Sequence, residues 1–252
     1  MGRLESFKQR GRNRQNRKRR PIIVIGCEGN NKTEEIYFKN FNSRKCIIKF
    51  STGNSTDPIG IANDLIKFID NEIGREDDDK YYVVLDTDVN QDKQSQIDKA
   101  KKLAIDNGVE FITSTPTFEY WYRLHFGYTT KTYHSSEEVQ NDIKDKIKGY
   151  TKSMNTYPVL RDKTDIAIKN AKKVEKHHLD LGQALDNENC NPYTAAYKVV
   201  EELIKRNNWY RRKAKYESDF LNCRIILLFI MEEKREINYE KDKYWKRDKI
   251  YI

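Results

Sequence analysis

Four short apolar runs, each five or six residues long, divide the first half of the chain: Pro21-Ile-Ile-Val-Ile-Gly26, Cys46-Ile-Ile-Lys-Phe-Ser51, Tyr81-Tyr-Val-Val-Leu85 and Val109-Glu-Phe-Ile-Thr113. They are rich in β-branched and aromatic residues, which is the pattern of buried strands. Between them the apolar positions fall at helical spacing. Ile36, Tyr37, Phe38 and Phe41 mark a helix over Thr33–Asn42, with Asn31 or Thr33 available as its cap. Ile61, Leu65, Phe68 and Ile69 mark a second, opened by Asp57-Pro58 and running to about Asn71. A third spans Gln94–Asn107, with Gly108 as its stop. The order β-α-β-α-β-α-β predicts an α/β fold: a mainly parallel four-stranded sheet covered by helices.

Beyond the fourth strand the pattern is helical. Pro116 opens a helix whose Phe118, Trp121, Tyr122 and Phe126 form a core face. Glu119 and Arg123 stand four apart on it, so Glu119 reads either as one half of an ion pair or as a metal ligand. His125 reads as a packed histidine or a base. Further helices are expected from Ser135 or Ser136 to Lys148, over Thr164–Ala184, and from Asn191-Pro192-Tyr193-Thr194 through Arg206. The loop Gly149–Ser153 is expected to expose Tyr150 and Lys152, and the acidic loop Glu76–Asp79 to be solvated. His177 and His178 are adjacent and so diverge by about 100° on a helix, poor geometry for a shared metal. The expected domains are therefore an α/β unit over 21–126 and a helical extension over 127–206 packed on it. A basic arm, 1–20, precedes them, and the pattern assigns 207–252 no place.

Charge sharpens that division. The net +9 is uneven: residues 1–20 hold nine Lys/Arg against one Glu and residues 207–252 twelve against eight, which leaves 21–206 at −3. The arm, ending Arg17-Lys18-Arg19-Arg20, has the character of a phosphate-seeking segment. No apolar run approaches the roughly 20 residues of a membrane span, and Pro21–Gly26 is too short for the h-region of a signal peptide. The four cysteines show no C-x-x-C pair or zinc spacing, as expected of reduced thiols in a cytoplasmic protein. Without a G-x-x-x-x-G-K-[ST] loop, ATP hydrolysis by this chain is not expected.

The candidate chemistry lies where strands end. Glu28 follows the first run at a strand-to-helix handover, the place where open α/β sheets bind ligands. The third run ends in Asp86-Thr-Asp88, and residues two apart on a strand share a face. Two carboxylates so placed repel unless a cation lies between them, and hard oxygen donors suit Mg²⁺ or Mn²⁺. Strand ends of one parallel sheet share an edge, so Glu28 and Asp86/Asp88 can converge there.

Cys27-Glu28-Gly29…Lys32-Thr33-Glu34…Tyr37-Phe38, then Asp86-Thr-Asp88, Ser114-Thr-Pro116-Thr-Phe118-Glu119-Tyr-Trp121…His125-Phe126 and Asn191-Pro192…Thr194 follow one another in order. In this the chain resembles the RloB/AbiLii family, a Toprim-like group of prokaryotic restriction and phage-defence loci often encoded beside an ATPase of the ABC/AAA type. The resemblance covers roughly 20–206. It implies a Toprim-like sheet, Glu28 as general acid or base, and Asp86 and Asp88 as Mg²⁺ ligands; with Glu28 converging on the two aspartates the expected metal site is Glu28, Asp86 and Asp88, to which the helix reading adds Glu119 as a candidate. It also implies a nuclease acting on RNA, tRNA included, or DNA in anti-phage defence under a partner ATPase. Lys32, Lys152 and the arm residues Arg17, Lys18, Arg19 and Arg20 are the expected contacts to nucleic acid. Many Toprim enzymes carry Asp-x-Asp-x-Asp; Asn90 stands at the third position here, which leaves open a non-catalytic nucleic-acid- or partner-binding module, or a scaffold subunit.

Overall fold

A computed structural model of the chain describes residues 19–28, 33–44, 46–87, 94–185 and 189–208. Five strands form one sheet in the order β2-β1-β3-β4-β5: β1 Ile22–Cys27, β2 Ile47–Phe50, β3 Lys80–Asp86, β4 Glu110–Thr115 and β5 Tyr193–Thr194. The first four are parallel and β5 runs antiparallel to β4. The α/β, mainly parallel arrangement is the Toprim-like one expected, with one strand more than the apolar runs suggested.

Both faces of the sheet are covered, and strand parity decides which residue meets which layer. Ile23, Ile25, Tyr82, Val84 and Ile112 pack with α1 (Thr33–Lys39), α4 (Glu119–Leu124), α7 (Thr164–Asp180) and a final helix over 196–208. Their partners include Tyr37, Phe38, Trp121, Tyr122, Ala171 and Leu203. Ile22, Val24, Tyr81, Val83 and Leu85 face the other way, onto Ile61 and Leu65 of α2 (Pro58–Phe68) and Ala104 of α3 (Gln94–Asp106). The central strands are buried on both sides, which is why their sequences read as continuous apolar runs rather than alternating ones.

Several elements depart from their sequence expectations. Tyr193 and Thr194 do not open a helix; they pair with Thr115 and Ser114, and Ser114 Oγ lies 2.8 Å from Thr194 Oγ1. One apolar cluster runs from Ile23 through Tyr133, Val139 and Ile143 to Leu203. Residues 127–206 thus complete the sheet and the core of the α/β unit. Pro116 lies in a turn after a cis Thr115–Pro116 peptide, and α4 begins at Glu119. Past α2 the chain stays helical but widens into a π turn, Ile69–Ile73, closed by Gly74 at φ 69°. Helix α5 covers Ser136–Lys144, a turn less than expected, with Ser135 as its cap; the short α6 is Tyr157–Leu160. The loop Glu76–Asp79 is not simply solvated. Asp79 is buried, accepts from Arg19 Nη1 (2.9 Å), Ile22 N (3.0 Å) and Tyr81 Oη (3.0 Å), and fastens the amino ends of β1 and β3. At the same end Arg206 donates to Asp78 O (2.7 Å) and Asn207 to Phe41 O (3.2 Å), anchoring the final helix.

Candidate functional site

The carboxyl edge of the sheet gathers the acidic residues. In the parallel register Cys27 of β1 stands opposite Val84 of β3, and Asp86 of β3 opposite Ser114 of β4. Glu28 is the residue after β1, Asp86 the last of β3, and Thr117–Glu119 follow β4 closely. These are three neighbouring strands, so Glu28, Asp86 and Glu119 come to one rim. Asp88 and Lys32 lie outside the described residues, as do Arg17 and Lys18 of the arm.

Asp86 shares the parity of Tyr82 and Val84 and faces the α1/α4 layer. Its carboxylate is half-buried and held by the turn after β4: Phe118 N donates to Oδ1 (2.8 Å) and Thr117 Oγ1 to Oδ2 (3.0 Å). Thr117 Oγ1 also contacts Glu119 Oε2, and Tyr150 Oη donates to Glu119 Oε1 at 3.1 Å. Thr117 has a single hydroxyl hydrogen, so it serves one of the two carboxylates at a time. Glu119 is buried and makes no i,i+4 pair with Arg123. That guanidinium instead meets Asp142 at 2.8 Å, in a pair joined by Tyr133 Oη. Tyr150, expected on the surface, is buried against Glu119, and burial together with that carboxylate raises its pKa.

Glu34 joins the same group and was missed as a site residue. An acid in the first turn of a helix is ordinarily accounted for by the helix dipole, yet Glu34 is 6% exposed. Burial chiefly, with the charges of Glu119 and Glu28 adding, pushes its pKa up to about 8 against the opposing pull of its own backbone hydrogen bond and of Lys152. The sequence held a signal: Glu34, Tyr37, Phe38 and Phe41 follow the i, i+3, i+4, i+7 stripe, so a carboxylate sits in an apolar face.

Lys152 is exposed, and its carbonyl accepts from Thr33 Oγ1 at 3.2 Å, which draws the 149–153 loop against the start of α1. Tyr122 Oη donates to Thr33 O (3.2 Å) from beneath. One exposed cation therefore stands beside a cluster of carboxylates. Arg19 and Arg20 sit elsewhere, at the amino end of the sheet: Arg19 holds Asp79, and Arg20 donates to Arg44 O. His125 is a core residue. Its Nδ1 lies 2.9 Å from Trp121 O, and burial lowers its pKa to about 4.

Among the described residues no three His, Cys, Asp or Glu side chains are placed to hold a metal ion together. The chemistry of the donor set nonetheless fits a hard divalent cation. Asp86, Glu28 and Glu34 offer only oxygen, and the charges of Glu119 and Glu28 add to the rise in the Glu34 pKa that burial chiefly causes. A separate cleft of about 880 Å³ lies between α7, the final helix and the amino halves of β3 and β4. Its walls are largely paired charges, among them Lys172–Glu201 at 2.6 Å and Lys80–Glu110 at 3.5 Å.

No helix among the described residues is long and apolar enough to cross a membrane. Neither a curated protein sequence nor a solved structure matches the chain. A family model described as RloB-like protein matches residues 23–203, a span that takes in Glu28, Glu34, Asp86, Glu119 and Lys152 as well as β2 to β5. The chain belongs to the RloB-like protein family.

Proposed function

We propose that the acidic rim is the centre of a metal-dependent nuclease that hydrolyses phosphodiester bonds in RNA or DNA, serving anti-phage defence under the control of a partner ATPase. The observation that supports this reading is that Glu28 and Asp86 stand at the carboxyl ends of adjacent parallel strands, with buried Glu34 of α1 near enough to feel the charges of Glu28 and of exposed Lys152. Asp86 and Asp88 are the residues that would hold Mg²⁺ or Mn²⁺. Such an ion, when bound, neutralises non-bridging phosphate oxygens and lowers the pKa of its water.

The remaining work falls to side chains. Glu28, exposed at the rim, is positioned to move a proton to or from a reacting oxygen, a contribution of about 10²–10⁴-fold in general acid–base catalysis. Lys152 and Lys32 offer cations to the substrate backbone, and the arm through Arg17 and Lys18 extends that contact. Arg19 and Arg20, spent on Asp79 and Arg44 at the far end of the sheet, have a structural part instead. Defence and the ATPase come from the family resemblance; restraint by a partner suits an enzyme able to damage its host.

The test is cleavage of DNA, tRNA and other RNA by the purified chain with Mg²⁺ or Mn²⁺, with and without the neighbouring ATPase. Glu28→Gln and Asp86→Asn should each cost at least about 10²-fold in rate while the proteins keep their fold. Asn90, where many Toprim enzymes carry a third acid, favours a second reading as a non-catalytic nucleic-acid- or partner-binding module. Binding without cleavage in every condition decides for that module and against the nuclease.

A further inference from the structure

The turn between β4 and α4 offers Asp86 two donors from consecutive residues, one for each oxygen of the same carboxylate. Phe118 N is 2.8 Å from Oδ1 and Thr117 Oγ1 3.0 Å from Oδ2, so rotation of the carboxylate plane breaks both bonds. The backbone donor is fixed by the chain. The hydroxyl donor depends on the Thr117 rotamer, and that is braced from behind. Thr117 is 1% exposed, its Oγ1 contacts Glu119 Oε2, and the other oxygen of Glu119 accepts from Tyr150 Oη at 3.1 Å. A continuous line of polar contacts therefore leads from a buried phenol through Glu119 and Thr117 to the half-buried carboxylate at the end of β3. Glu119 Oε1 accepts from Tyr150 Oη, and its Oε2 lies against Thr117 Oγ1, whose one hydrogen it shares with Asp86. Arg123, the partner that helical spacing offered it, is occupied by Asp142.

We propose that Thr117, braced by Glu119 and Tyr150, is a positioning residue for Asp86. It sets the orientation in which that carboxylate takes up a divalent cation, and Glu119 acts through it rather than as a ligand. This rests on the metal-dependent reading above. Groups that orient a metal ligand are typically worth 10–100-fold in affinity, whereas loss of the ligand itself removes binding.

The test is Mn²⁺ binding to the full chain, followed by electron paramagnetic resonance and calorimetry, with thermal unfolding of each variant alongside. Thr117→Val deletes the hydroxyl at nearly constant volume and should weaken Mn²⁺ binding about 10–100-fold. Thr117→Ser, which restores a hydroxyl, should return it to within a few-fold of wild type. Glu119→Gln and Tyr150→Phe should weaken binding without abolishing it, while Asp86→Asn abolishes it. Should Thr117→Val unfold, the Thr117→Ser, Glu119→Gln and Tyr150→Phe comparisons still decide. Wild-type Mn²⁺ affinity in folded Thr117→Val, or in both Glu119→Gln and Tyr150→Phe, overturns the proposal, since a merely structural role lowers the melting temperature and leaves affinity alone. Glu119→Gln losing binding as fully as Asp86→Asn makes Glu119 a ligand and overturns it as well. A wild-type chain that binds no Mn²⁺ defeats the metal reading itself and takes the positioning role with it, a result visible before any variant is made.

Discussion

Two buried groups with opposite pKa shifts give the protein a distinctive dependence of stability on pH. Glu34 is raised to about 8 by burial and by neighbouring Glu119 and Glu28, from an ordinary 4.5. Between those values folding takes up a proton, so stability falls as pH rises until the folded-state group has ionised. His125 is lowered from 6.5 to about 4 by burial, so the unfolded chain binds the extra proton in that window and stability rises with pH across it. From about 4.5 to 6.5 the two slopes oppose each other; above 6.5 only Glu34 remains, and its contribution declines toward pH 8. In Glu34→Gln, urea unfolding at a series of pH values should therefore show a rise between 4 and 6.5 and lose one proton's worth of decline above it. Mg²⁺ at the rim should flatten the wild-type decline in the same direction by stabilising the ionised carboxylates. An unchanged slope in Glu34→Gln would mean that Glu34 is ionised in the folded protein. At this scale the sequence was least transparent. The i,i+4 spacing of Glu119 and Arg123 was correct as spacing, but Asp142, 19 positions on, is the partner Arg123 takes, and only the tertiary fold brings it there. Tyr150 sits in a polar-looking loop, and nothing local reveals that its hydroxyl reaches a buried carboxylate.

The elements were legible wherever one physical cause dominated. Strands buried on both faces declare themselves as unbroken apolar runs, so β1 to β4 were placed within a residue or two of their ends. β5 was not, because Tyr193–Thr194 is two residues long and exists only by pairing with Thr115 and Ser114, a contact about 80 residues away in sequence that no local periodicity records. Asp79 belongs to the same class of long-range effect. It sits among four acidic residues that look like a solvated loop, yet its side chain gathers Arg19, Ile22 N, Glu76 N (3.2 Å) and Tyr81. Burial alone would raise its pKa; the Arg19 and Ile22 hydrogen bonds outweigh that and lower it. Removing a partner from a buried ion pair typically costs about 3–5 kcal/mol because the remaining polar groups are stranded. Arg19→Ala, which strands the buried Asp79 carboxylate, should thus lower unfolding free energy by up to that amount; Asp79→Ala lets the part-exposed Arg19 guanidinium return to water but leaves Ile22 N and Tyr81 Oη without their acceptor, and should destabilise as well. Both substitutions lie at the amino end of the sheet. Neither should change Mn²⁺ affinity in the protein that remains folded, a control that separates loss of fold from loss of site.

Across the whole molecule, charge and chemistry are segregated. The body over 21–206 is slightly acidic, Glu28, Glu34, Asp86 and Glu119 lie at one rim of it, and the basic excess lies in 1–20 and 207–252. A polyanion approaching such a body meets repulsion from the rim unless cations screen it, and Lys152 is an exposed cation beside Glu34 among the described residues. Affinity for nucleic acid and the capacity to act on it should accordingly reside in different parts of the chain. Each phosphate contact made by Lys or Arg adds about 0.7 to 0.9 to the slope of log affinity against log salt. Deleting residues 1–18 should reduce that slope by several units and weaken binding to RNA and DNA alike, because arm–phosphate contacts carry no sequence information. Ending the deletion at 18 spares Arg19 and its pair with Asp79, so the fold is retained. Asp86→Asn should have the complementary phenotype. It removes a negative charge from the rim, so nucleic-acid binding stays level or tightens slightly while Mn²⁺ uptake is lost. Filter-binding isotherms at 50 to 300 mM salt, read beside Mn²⁺ titrations of the same two proteins, distinguish this division from its opposite. If the arm deletion leaves the salt slope intact, the phosphate contacts belong to the body, and Lys152 with the 149–153 loop becomes the place to seek them.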